Sequence, residues 1–307
     1  MSIQNFNPTI WSKGFLVNLD KAHVHAAVVN RDYEGEIQAH GDTVKISSIG
    51  RITVRAYTRN AGLGGSAASP TITAISRPEV LQGSSLTLTI DQAEYFNFAI
   101  DDADKFQQQP KLMDKAMKEA AFAMANEVDQ FLNSTIQTGV AGTGNGNGNR
   151  LSARTVGVGA GDDDFYETLV DLSVKLAEND VPENSPKWVI VPPWAHGMLL
   201  KDVRFTNYGT SDNRETLMNG RVGKAAGFEI SVSNNLSGAT SGTLAVAGGV
   251  YTVLAGVKEA ATYAEQINSM EAFRPQDGFN DAVKGLHLYG GKVTRPFALS
   301  SVEITQA

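Results

Sequence analysis

Apolar positions along this chain change their period several times, and each change marks an element. From Asp42 the period is two: Val44 and Ile46 flank Lys45. After a slip around 48–50, Ile52, Val54 and Ala56 alternate with Arg51, Thr53, Arg55 and Tyr57. Alternation gives a strand one apolar and one polar face, and Gly50 at the slip predicts a bulge. A small-residue stretch at 60–70 follows; then Leu86, Leu88 and Ile90 alternate with Thr87 and Thr89, and Phe96, Phe98 and Ile100 continue the extended pattern. Residues 42–100 therefore read as a long two-stranded excursion with a glycine-rich connection. A long isolated hairpin is marginal in water, so this one needs a surface to lie on. Arg51, Arg55 and Arg59 fall on one side of it, either as a solvated face or as charge contacts to an adjacent subunit. Residues 1–41 are polar and weakly periodic, with Trp11, Phe15, Leu16 and Leu19 as scattered anchors. They read equally as a terminus packed on its own core or as an arm docked on a neighbour.

The period then becomes helical. Met113, Met117, Ala120, Met124, Val128 and Phe131 recur at spacings of three and four, predicting a helix over about 110–136 with Pro110 in its first turn and Gly139 as its stop. The methionines suit core filling. The run 139–149 is glycine- and asparagine-rich and lacks the Lys-Ser/Thr ending of a phosphate-binding loop, so it reads as a linker. Beyond it the pattern is α+β. Asp162, Asp163 and Asp164 precede a helix carrying Phe165, Leu169, Leu172 and Leu176, where acidic residues favour the positive end of the helix dipole. Residues 187–191 read as a buried strand ended by Pro192 and Pro193, with Pro193 opening a short helix. Strand character returns at Phe228, Ile230 and Val232 and within 244–254; 258–264 suggests a short helix, and 266–304 returning strands.

The 307 residues are 42% hydrophobic, contain no cysteine and carry a formal charge of −7. This is enough apolar content for a real core and excludes disulfides and thiolate metal sites. The acidic balance disfavours tight nucleic-acid binding through phosphate neutralisation. The first twenty residues lack a cationic segment followed by an apolar run, and no stretch approaches a membrane span, so neither a signal peptide nor a membrane partner is expected. No nucleophile elbow, zinc-protease or dinucleotide motif is present; the glycines of 220–227 are wrongly spaced and precede a strand. His23 and His25 would share a strand face without a third ligand, and His40, His196 and His287 read as structural. No catalytic residue, cofactor or metal site is expected.

The order of arm, long hairpin, rod-like helix and α+β domain ending in strands resembles the Hong Kong 97-type major capsid proteins of tailed phages. Three segments carry the resemblance locally: Gly220-Arg-Val-Gly-Lys-Ala-Ala-Gly-Phe-Glu-Ile-Ser-Val-Ser-Asn-Asn-Leu236, Trp188-Val-Ile-Val-Pro-Pro-Trp194, and Val283-Lys-Gly-Leu-His-Leu-Tyr-Gly-Gly-Lys-Val-Thr-Arg-Pro-Phe297. The resemblance implies an N-terminal arm at 1–41, an extended hairpin loop at 42–100, and a peripheral domain at 101–180 with a spine helix at about 110–137. It further implies an axial domain at 181–265 and strands returning through both domains at 266–307. It implies self-assembly into pentamers and hexamers of an icosahedral shell around double-stranded DNA, held without sequence-specific contacts, in a virion assembled in the host bacterial cytoplasm. A separate scaffolding protein, a portal, and a protease or decoration protein are the implied partners. Trp11, Phe15, Arg51, Arg55, Arg59 and Leu63 are the candidate intersubunit contacts. The loop tip 60–70 has no lysine, so the lysine–asparagine crosslink of some family members is not expected. Two other readings are a nanocompartment shell of the same fold and, in a different class, an α+β enzyme with an unrecognised site.

Overall fold

The computed structural model describes residues 24–33, 43–49, 52, 54, 83–101, 112–141, 148–157, 162–202, 223–236, 249–276, 278 and 280–306. They form three sheets built around one long helix. The alternating runs pair as expected: β1 (Thr43–Ile49) and β2 (Gly83–Thr89) are antiparallel, with Ile46 opposite Leu86 and Val44 opposite Leu88. The run containing Phe96 and Phe98 departs from expectation. As β3 (Gln92–Asp101) it leaves the hairpin and pairs with β10 (Asn280–Val293), which also pairs with β9 (Ala261–Phe273) in a three-stranded antiparallel sheet. Period two identifies a strand but not its partner.

The rod helix α2 (Leu112–Ala141) runs through Gly139 rather than stopping there. A Cβ at Gly139 would lie 2.3 Å from Cγ2 of Val293, so this glycine serves close packing of the helix against β10. Thirty residues make α2 about 45 Å long, and β10, with fourteen residues at about 3.4 Å each, nearly matches it. Met117, Ala121, Met124 and Ala125 pack on Val283 and on Phe96 and Phe98 of the three-stranded sheet. Val128, Leu132, Ile136 and Val140 enter a second, larger core. One apolar stripe thus serves two cores.

The larger core is organised by a six-stranded mixed sheet in the order β4–β11–β8–β5–β7–β6. Its strands are β4 (Arg150–Val156), β5 (Lys187–Val191), β6 (Lys224–Ala225), β7 (Phe228–Val232), β8 (Val250–Val257) and β11 (Leu299–Gln306). All five residues of β5 are buried, Lys187 included, which fits the apolar run at 188–191 that marks it as an interior strand. Helix α3 (Phe165–Glu178) buries Leu169, Leu172 and Leu176, and the Asp164 carboxylate caps it by accepting the Tyr166 N–H at 3.0 Å. Pro193 opens α4 (Pro193–Lys201). Ala226 and Gly227, at φ 50° and 81°, make the left-handed turn joining β6 to β7. The helix expected over 258–264 is only a 3-10 turn, Lys258–Ala260; from Ala261 the chain is committed to β9 by its pairing with Val293. His25 lies not on a strand but in the short helix α1 (His25–Val28).

Candidate assembly surfaces

The chain leaves the three-stranded sheet abruptly. β2 and β3 are separated only by Ile90 and Asp91, yet belong to different sheets. Ile90 is buried with Val44, Leu88, Ala264 and Leu288 in a small apolar cluster beneath the hairpin base. The ammonium of Lys292 donates to the Thr87 carbonyl at 3.0 Å from the β10 side. Past β1, Ile52 and Val54 continue the apolar alternation in the sequence but are 65% and 93% exposed. Isolated exposed apolar residues are ordinary, but two so close in sequence mark a candidate contact surface.

A second such surface lies where β3, an edge strand, meets α2. Ala93, Tyr95, Ala120, Ala123 and Met124 line an apolar groove there, flanked by Glu94 and Glu127. Tyr95 is 77% exposed, and Phe122 projects from the neighbouring helix surface at 61%. The Tyr289 hydroxyl donates to Glu94 Oε1 at 2.7 Å. Burial, and then this carboxylate, push the Tyr289 phenol far above its ordinary value, so it remains a donor. On α3, Val170 and Val174 form an apolar i,i+4 pair on the side away from the core.

The N-terminal segment is tied to this frame by polar contacts. Val24 N–H and His25 N–H donate to the two oxygens of Asp129 on α2, at 2.9 and 3.1 Å, and the buried His25 ring places Nδ1 3.6 Å from the same carboxylate. Asn30 bridges to β9 through Asn30 N–H to Ala261 O at 3.0 Å and Tyr263 N–H to Asn30 O at 2.9 Å. Arg31 pairs with Glu265, which also accepts the Tyr263 hydroxyl at 2.6 Å and lies 3.4 Å from His287 Nε2.

The expected contact residues Trp11, Phe15, Arg51, Arg55, Arg59 and Leu63 all lie outside the described residues. The exposed Tyr95, Phe122, Val170 and Val174 were not anticipated; the helix residues Phe122, Val170 and Val174 stand off the main apolar stripe of their helices, whereas the edge position of Tyr95 follows from strand pairing that the sequence does not reveal. Among the described residues no cluster of three or more His, Asp or Glu could hold a metal, and no helix is long and apolar enough to cross a membrane.

No curated protein sequence matches this chain. Its fold is similar to solved phage structures. Mycobacterium phage Che8 shares 27% identity over 92% of this chain and 90% of its own, with a TM-score of 0.63. The capsid of cyanophage P-SCSP1u shares 16% over 91% and 86% with a TM-score of 0.62, and the mature capsid of bacteriophage PhiM1 shares 16% over 92% and 87% with a TM-score of 0.61. The sequence profile of the phage capsid protein family matches residues 85–301, from the returning hairpin strand β2 to β11. The Hong Kong 97-type α+β fold and the family match over most of the sequence agree: the chain belongs to the phage capsid protein family and is a major capsid protein of a tailed phage, located in the virion capsid.

Proposed function

We propose that copies of this chain assemble into pentamers and hexamers of a closed icosahedral shell around double-stranded DNA, with the hairpin of each subunit lying across its neighbour. The carrying observation is the exposure of Ile52 and Val54, which follow a strand whose base is anchored in an apolar cluster and which the described residues leave largely uncovered. Closed symmetry turns many such modest contacts into a stable assembly. Trp11, Phe15, Arg51, Arg55, Arg59 and Leu63 are the intersubunit contacts of this reading. Residues 101–180 with α2 act as the peripheral domain, 181–265 as the axial domain and 266–307 as the strands joining both. The charge of −7 suits a wall that encloses DNA without gripping it. A scaffolding protein, a portal, and a protease or decoration protein complete the partner set.

Electron microscopy of the chain, expressed alone and with its neighbouring genes, tests the reading. Closed shells or capsomer rings are expected. Uniform small particles under both conditions would overturn it.

A further inference from the structure

We infer that Gly290 is a positioning residue for shell assembly: it sets the angle at which the hairpin leaves the subunit, with Lys292 holding that angle. This rests on the reading of the hairpin as the arm that reaches a neighbour.

Gly290 lies one residue beyond the last β3–β10 pair, Gln92 with Tyr289. A Cβ built on it would sit 2.3 Å from the Thr89 carbonyl oxygen, 3.1 Å from Ile90 Cα and 3.2 Å from the Thr89 carbonyl carbon. All three are backbone atoms, and all three belong to the corner at which β2 becomes β3. A side-chain clash can be relieved by a rotamer change; this one yields only if the corner itself moves. The contrast is Gly285 on the same strand, where a Cβ would meet the ring of Phe96. Gly290 therefore lets the hairpin base rest directly on β10.

Two further features make this contact an angle and not merely an approach. Ile90 is buried beside Leu88 and Leu288, pinning the corner from within. Lys292, two residues further along β10, holds the Thr87 carbonyl at 3.0 Å, so β2 is fastened to β10 at a second point on the hairpin side of the corner. Two points fix a direction. β2 is seven residues long and carries that direction roughly 20 Å outward. A displacement of about 1 Å at the Gly290 contact, the amount a methyl group demands, is thereby magnified at the end of the strand.

The chain has no cysteine, so spin labels can be introduced at chosen positions without background. Labels at Ser85 on the hairpin and Lys284 on β10, both exposed, report the angle by pulsed electron paramagnetic resonance on the unassembled full-length chain. Gly290→Ala is expected to move the mean distance by several ångströms while Gly285→Ala leaves it in place, and Lys292→Met to broaden the distribution around the original mean. Shells of Gly290→Ala are expected to lose their uniform diameter. An unmoved distribution in folded Gly290→Ala overturns the inference. If that variant does not fold, Lys292→Met decides: broadening supports the inference and an unchanged distribution overturns it. The distance is read in the free subunit, so a failure of this inference is distinct from a failure of the assembly reading, which would appear as wild-type chain that never forms shells.

Discussion

The carboxylate of Asp129 caps the helix that begins at His25, one of its oxygens accepting the His25 N–H and the other the N–H of Val24. It does so across more than a hundred residues of sequence, and it is 2% exposed. The pair ties the segment carrying the N-terminal arm to the middle of α2. Asp129→Ala leaves two amides unpaired in an apolar setting, and a loss of roughly 2–3 kcal/mol is expected. Asp129→Asn, which keeps one acceptor, should lose less. Urea unfolding of the two variants checks both the size and the order.

Gly139 and Val293 should behave as one packing unit. Gly139→Ala is expected to destabilise by about 1–3 kcal/mol through overpacking, despite alanine's better helix propensity. Val293→Ala alone costs less, about 1 kcal/mol from the smaller side chain. The double variant should recover most of the Gly139→Ala loss. A double-mutant cycle measures the coupling, and additive losses would mean that the helix accommodates the methyl group some other way.

Ile52, Val54 and Phe122 are largely exposed among the described residues. Ile52→Ser with Val54→Ser, and separately Phe122→Ser, should leave subunit stability within about 0.5 kcal/mol. Assembly should weaken, with sedimentation velocity showing free subunits or rings at concentrations where the wild type forms shells. Lost stability with normal assembly would reverse the roles given to these residues.

Tyr289 supplies a pH signature. Its folded-state pKa is raised above the ordinary 10.0, so its contribution is fully present below that value and is lost as pH rises beyond it, where the unfolded chain ionises and the folded chain resists. Wild-type stability should therefore fall more steeply above about pH 10 than that of Tyr289→Phe. At neutral pH the variant should be weaker by about 1 kcal/mol through the lost bond to Glu94. Thermal unfolding across the alkaline range separates the two effects.

The sequence made the elements legible where periodicity is strong and left their partners obscure. Leu86 and Leu88 showed a strand, and the Met117–Met124 stripe a helix, because one face of each is buried. Phe96 and Phe98 showed the same alternation as the hairpin, but their partner, β10, lies nearly two hundred residues away, and no local pattern encodes that pairing. Gly139 resembled a helix stop because glycine at a helix end and glycine under a crossing side chain are identical in sequence. The run from Lys258 has helical propensity, which the long β9–β10 ladder overrides. The candidate contact residues were least visible as such, since the alternation at Ile52 and Val54 reads the same whether the apolar face meets its own core or another molecule.

Because α2 forms a wall of both cores, the subunit behaves mechanically as two panels mounted on one beam. The helix is common to both cores, so a displacement of the three-stranded panel is expected to be felt beyond that panel. The route to the six-stranded panel is through Leu132, Ile136 and Val140, which lie in the larger core at the other end of the same rod. In a shell of such subunits, a load received by one panel is expected to be shared with the other through the helix they have in common.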